Sequence, residues 1–192
     1  MKWRRLLTIL AVVVITTTVA LSFVGCGDNN TPSNGSGAET GNESNVSVNA
    51  QCPPQRGLVI FGTQGCPHCR ALKGYGAKVF GKNGVCFVEV NPGYGATKDT
   101  QQFFVKIYKE AYPGIKEDQM GVPLAFYFYD GNVRGVFIGE LPEDSLKSLD
   151  NYIDTATEPI SIILWNGNAY QLSATAAQQL TEDIKGFFNS HK

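Results

Sequence analysis

Cys66 and Cys69 are separated by Pro67 and His68 and stand at the head of a helix-like run, in the stretch GTQGCPHCRALK from 62 to 73. Three chemistries use such a pair: a metal clip, a structural disulfide, or a dithiol that exchanges electrons. Electron exchange needs one accessible thiolate and one shielded partner. The first turn of a helix supplies both. Cys66 would meet free backbone N–H groups and the positive end of the helix dipole, which favour the thiolate. Cys69 would follow one turn later as the resolving thiol. His68 can bring a hydrogen bond or a positive charge to the Cys66 sulfur, and Pro67 suits a first turn, where its missing N–H costs nothing. The competing reading is a metal-binding or metal-delivery site built on Cys66, Cys69 and His68. Structural zinc usually takes four cysteine or histidine ligands. This sequence has one CxxC, and its other histidine, His191, sits at the C-terminal end.

The elements that must position these residues follow from apolar patterning. GLVIF (57–61) reads as a buried strand, and VCFVEV (85–90) as a second. A helix fills the space from the CxxC to about Phe80, with Leu72, Val79 and Phe80 inward and Gly74 and Gly76 against its propensity. TKDTQQFFVKIYKEAY (97–112) spaces Phe103, Phe104, Ile107, Tyr108 and Ala111 as a helix. PLAFYFYDGNVRGVFIG (123–139) reads as two strands joined at Asp130-Gly131, and PEDSLKSLDNYI (142–153) as a helix burying Leu146, Leu149 and Ile153.

This order, with CPHC after the first strand, resembles the thioredoxin fold over about residues 52–156. Three local matches carry the resemblance: CPHC itself, GVP (121–123) opening the third strand, and Gly139 at the end of the fourth. CPHC and GVP are the residues that periplasmic disulfide oxidases use. The 54 positions from Cys69 to Pro123 leave no room for the helical domain those oxidases insert. The resemblance implies a thioredoxin-sized mixed sheet flanked by helices and a thiol–disulfide oxidoreductase activity. It implies a cis Pro123 facing the CxxC, with the Val122 backbone exposed to pair with an extended substrate chain. Thioredoxins carry a buried aspartate six residues before the first CxxC cysteine. Ile60 stands there in this chain, and Glu89 takes a second-strand position where thioredoxin holds a lysine. Glu89 is the only charge in VCFVEV, and it could relay a proton to or from Cys69. A strand glutamate reaching water is the alternative. In this fold Cys52 and Cys86 would lie at the sheet end away from the active site, where a structural disulfide suits an oxidising compartment. Cys86 as a buried apolar filler beside a free Cys52 is the other possibility.

The ends of the chain set the context. Residues 1–25 begin basic and continue through an uncharged apolar run from Leu6 to Val24, as in an export signal or a membrane anchor. FVGC (23–26) resembles the lipobox of prokaryotic lipoproteins, which would place a lipid on Cys26. The run is also long enough to span a bilayer, which needs about 20 apolar residues. Either way the rest of the chain would be tethered outside the cytoplasmic membrane. Residues 26–51 have no apolar periodicity and read as a flexible polar linker. Asn29, Asn34, Asn42 and Asn45 each begin an N-x-Ser/Thr sequon there. Residues 157–192 read as an extension: a hairpin around Asn166-Gly167, then a helix with Thr175 and Gln178 as a capping box. Beyond residue 25 the chain carries 13 basic and 17 acidic side chains, a net −4 with no basic run, which points away from nucleic acid. Dithiol exchange requires no cofactor. The partners it implies are folding or unfolded proteins with thiols or disulfides, and a membrane redox partner.

Overall fold

Strand β1 (Gly57–Gly62) is buried along its whole length, and the alternation of its side chains decides which helices meet which face. A computed structural model describes residues 52–158, 160–165 and 167–191. The expectations for the apolar N-terminus, Cys26, the polar linker and its sequons lie outside those residues. The fold is mixed α/β: a six-stranded mixed sheet and, among the described residues, four α-helices. The other strands are β2 (Val85–Glu89), β3 (Leu124–Tyr129), β4 (Asn132–Ile138), β5 (Ile162–Trp165) and β6 (Asn168–Gln171). Their order across the sheet is β2-β1-β3-β4-β5-β6. β1 is parallel to β2, β4 is parallel to β5, and the other pairs are antiparallel.

Leu58 and Ile60 share one face with Val85, Phe87, Ala125, Tyr127 and Phe137. Helices α1 (Pro67–Phe80) and α3 (Glu143–Asp154) cover it through Leu72, Leu146, Leu149 and Ile153. Val59 and Phe61 share the other face with Cys86, Val88, Leu124, Phe126 and Phe128. Helices α2 (Lys98–Ala111) and α4 (Ala174–Ser190) cover that one through Ile107, Tyr108, Leu180, Ile184 and Phe188. The glycines in α1 count against a helix by propensity, and packing overrides that preference at one of them. A Cβ on Gly76 would sit 2.9 Å from Leu58 Cδ1 and 3.0 Å from Val85 Cγ2, so the missing side chain lets α1 lie close on the sheet. The β3–β4 turn follows its sequence: Asp130 (φ 52°) and Gly131 (φ 66°) are both left-handed, as a two-residue hairpin loop of the mirror-image type requires.

The 157–192 stretch forms the expected hairpin and helix and continues the same sheet. β5 pairs with β4 from Gly135↔Ile162 to Phe137↔Leu164. From α4, Phe187 stacks on Phe103 with ring centroids 4.4 Å apart, and it also meets Phe61. The cap of α4 differs from the Thr175–Gln178 reading. Ser173 is the N-cap, because its Oγ accepts the Ala176 N–H at 3.2 Å and the helix begins at Ala174. Among the described residues no helix is long and apolar enough to cross a membrane.

Candidate active site

The C-terminal ends of β1, β2 and β4 and the N-terminal end of β3 meet at one edge of the sheet, through the pairs Gly62↔Glu89, Phe61↔Leu124 and Leu124↔Ile138. Every residue singled out near the CxxC lies on these ends or on α1. Cys66 is the N-cap of α1 and Pro67 its first residue. The turn before the helix is closed by Cys66 N–H donating to Thr63 O (3.0 Å), and the helix by Arg70 N–H donating to Cys66 O (3.2 Å). Cys66 is half-buried, Cys69 is fully buried, and both are free thiols. The Val122–Pro123 peptide is cis. Cys66 Sγ lies 4.0 Å from Val122 O. Gly139 N–H donates to Pro123 O at 2.8 Å, so the glycine that ends β4 holds the proline that opens β3.

Cys69 points down onto the end of β1. A Cβ on Gly62 would come within 2.8 Å of its Sγ, so the glycine makes the space the thiol occupies. Burial pushes the Cys69 thiol up to about 12, helped by the hydrogen bond and charge of Cys66 and by the Glu89 carboxylate, while a backbone hydrogen bond from Thr63 acts the other way. This ties stability to pH. Exposed in the unfolded chain, the thiol ionises near its ordinary 9.0, whereas the folded protein keeps the proton to about 12. The folded state binds more protons in that window, so stability is complete below it and falls as pH rises from about 9 to about 12. Melting curves should show this loss in the wild type and a shallower one in Cys69→Ala.

Glu89 is 1% exposed, so it is a buried carboxylate and does not reach water as an edge residue would. By alternation it shares the α1 face with Val85 and Phe87. Both of its oxygens are engaged: Oε2 accepts the Gln64 N–H at 2.8 Å and Oε1 accepts the Asn91 N–H at 2.8 Å. One carboxylate therefore joins the loop that carries Cys66 to the turn that leaves β2. His68 is the second residue of α1, and its exposed ring places Nδ1 2.8 Å from Glu140 Oε2, on the connection after β4. Ile60, in the place of the thioredoxin aspartate, is fully buried among Leu58, Phe87 and Ala125.

Cys52 and Cys86 form a disulfide with Cα atoms 5.9 Å apart, at the other end of the first two strands. They are therefore not available to complete a four-sulfur site with the CxxC. Among the described residues no group of three or more His, Cys, Asp or Glu is placed to hold a metal ion. An apolar groove of about 490 Å³, lined by Tyr112, Ile115, Ile163 and Tyr170 among others, contains none of the CxxC residues.

No family model, no curated protein and no solved structure matches this chain.

Four contributors to the site were not read from the sequence. Gly62 carries a local signal, a glycine closing a buried strand immediately before the CxxC loop. Glu140 pairs with His68 across 72 positions, and nothing local marks it. Gln64 acts through its main-chain N–H, so its residue type is silent. Tyr94 sits in the turn-forming run NPGYG, whose hydroxyl would touch a Cβ on Gly65 at 2.6 Å.

Proposed function

We propose that this chain is a thiol–disulfide oxidoreductase of thioredoxin-like fold, working outside the cytoplasmic membrane and tethered to it through residues 1–25 or a lipid on Cys26. The observation that carries the reading is the division of labour between two free thiols. One is reachable at a helix N-cap, the other is buried one turn later, and a separate pair is already closed as a disulfide. The order strand, helix, strand, helix, two strands, helix, with Pro123 opening β3, supports the thioredoxin-like assignment.

The Cys66 thiolate attacks one sulfur of a substrate disulfide. The bond from Cys66 to that sulfur forms, the substrate S–S bond breaks, and the second substrate sulfur leaves as a thiolate and takes a proton. Cys69 then loses its proton and attacks the Cys66 sulfur. The first substrate sulfur leaves, and Cys66–Cys69 is closed. Two electrons pass from the enzyme dithiol to the substrate. The reverse sequence oxidises a substrate dithiol. Val122 O, 4.0 Å from Cys66 Sγ, marks the edge on which a substrate main chain would lie. His68, held by Glu140 at 2.8 Å, stands in the first turn of α1 two residues from Cys66. A membrane redox partner resets the pair.

Glu89 is assigned the proton relay for Cys69 as well as the two loop contacts. Glu89→Gln removes the base. It also sets an amide donor against one of two backbone N–H groups, since both bonds to Glu89 are donated to it. The expected outcome is a stability loss of about 1–3 kcal/mol, slow resolution, and mixed disulfides accumulating on Cys66. Wild-type turnover of model substrates from about pH 5 to about pH 8 would remove the relay from the account.

The function itself is tested by mixing reduced protein with a cystine peptide, quenching in acid and mapping adducts by mass. The expected first adduct is on Cys66, followed by a Cys66–Cys69 disulfide and two released thiols. Persistence of both thiols, or binding of one zinc ion by Cys66, Cys69 and His68 in metal titration, would overturn the assignment.

A further inference from the structure

The strand order β2-β1-β3 puts two chain segments on either side of the Cys66 loop, which leaves β1. One leads into β3 and carries Val122. The other leaves β2 as the turn 91–96. That turn is pinned at each step. Asn91 N–H is held by Glu89 Oε1 (2.8 Å), Asn91 Oδ1 accepts the Gly93 N–H (2.8 Å), and Tyr94 N–H donates to Asn91 O (3.0 Å). Gly95, at φ 90°, closes it with its N–H on Pro92 O at 3.0 Å. The turn presents Tyr94, whose side chain belongs to neither core cluster and is left 45% exposed. Its hydroxyl rests against Gly65, where a Cβ would approach it to 2.6 Å. Glu89 holds the Cys66 loop and this turn with its two oxygens, so the ring keeps a fixed place beside the residue that precedes the nucleophile.

Two features say what such a ring would contact. The polar side chains of α1 nearest in sequence to Cys66 already have partners: His68 with Glu140 at 2.8 Å, and Arg70 Nη1 with Gln64 O at 2.7 Å. Val122, whose carbonyl lies 4.0 Å from the Cys66 sulfur, is apolar and partly buried. A fixed, amphipathic ring beside the apolar Val122 favours an apolar or aromatic side chain over a charged one.

Resting on the thiol-exchange reading above, we propose that Tyr94 is a specificity-determining contact: its ring is a shelf for a large apolar or aromatic side chain immediately beside the reacting cysteine of an extended peptide whose main chain lies along Val122. Cys66 makes the mixed disulfide and the shelf selects which cysteine it is made with. A small disulfide with no neighbouring side chain cannot use the shelf.

The test uses the full chain in detergent, reduced, with three probes: hydroxyethyl disulfide and two cystine peptides that differ only in phenylalanine or serine beside the cysteine. Wild type is expected to prefer the phenylalanine peptide about tenfold in kcat/KM, through KM. Tyr94→Ala is expected to bring the ratio of the two peptides to about one, and Tyr94→Phe to restore it. A wild type without preference, or a preference that survives in Tyr94→Ala, would overturn the shelf. So would an equal slowing of all three probes in Tyr94→Ala, because that is the signature of a merely structural role. Failure of the wild type to react with any probe would instead defeat the thiol-exchange reading, and the shelf with it.

Discussion

Alanine at position 62 is expected to leave the first attack by Cys66 in place and to stop the second, so that Gly62→Ala behaves like Cys69→Ser. The added methyl would stand 2.8 Å from Cys69 Sγ, 3.2 Å from its Cβ and 3.3 Å from Phe87 Cε2, all inside ordinary contact. Retreat of Cys69 with its helix would lift the fully buried Leu72 and the close-packed Gly76 off the sheet, so it is opposed by lost packing. The thiol must therefore turn away from the position from which it reaches Cys66. Displacement of a reacting group by about 1 Å can cost about a hundredfold in rate, and overpacking a core costs about 1–3 kcal/mol. Quenched-flow measurement of the two steps should show normal formation and about a hundredfold slower decay of the Cys66 mixed disulfide. Wild-type decay would mean that Cys69 does not react from the place it occupies here.

Breaking the second cysteine pair should cost stability and spare chemistry. The Cys52–Cys86 bridge spans 34 positions, and the loop it closes contains the whole of β1, the CxxC and α1. Closing a loop of that length restricts the unfolded chain by about 3–4 kcal/mol. The double variant Cys52→Ser, Cys86→Ser should lose about that much in urea unfolding, while its reduced form still makes the Cys66 adduct. Both bridge cysteines are buried, at 7% and 1% exposure, so a mild reductant should open Cys66–Cys69 first. Equal stability of variant and wild type would mean that the bridge constrains nothing.

Local pattern made much of the frame legible. The apolar runs marked β1 and β2, helical spacing marked α2 and α3, and Asp130-Gly131 marked the hairpin. Thr97 and its Oγ bond to the Thr100 N–H at 3.1 Å give α2 a start that the sequence also places there. Partners were less legible than elements. The apolar pattern of 160–173 announces a hairpin, but pairing of β5 with β4 is a long-range choice with no local mark. The same holds for the His68–Glu140 pair. Glu89 stood out as a lone charge in an apolar strand, yet the groups that satisfy it are the backbone N–H groups of Gln64 and Asn91, which no residue type reveals. The cap of α4 shows competition at short range: Ser173 and Thr175 both suit a helix start, and the structure takes the earlier one.

The central claim is that Cys66 and Cys69 exchange electrons as a pair. Its most direct test is the redox equilibrium of the protein in graded glutathione buffers, read by thiol alkylation and mass mapping. The account predicts one two-electron transition confined to Cys66 and Cys69, with a midpoint between about −270 and about −120 mV, the span of known dithiol oxidoreductases. Cys52–Cys86 should stay closed throughout it. Two thiols that remain reduced at every ratio, or a transition that moves to Cys52 and Cys86, would contradict the account.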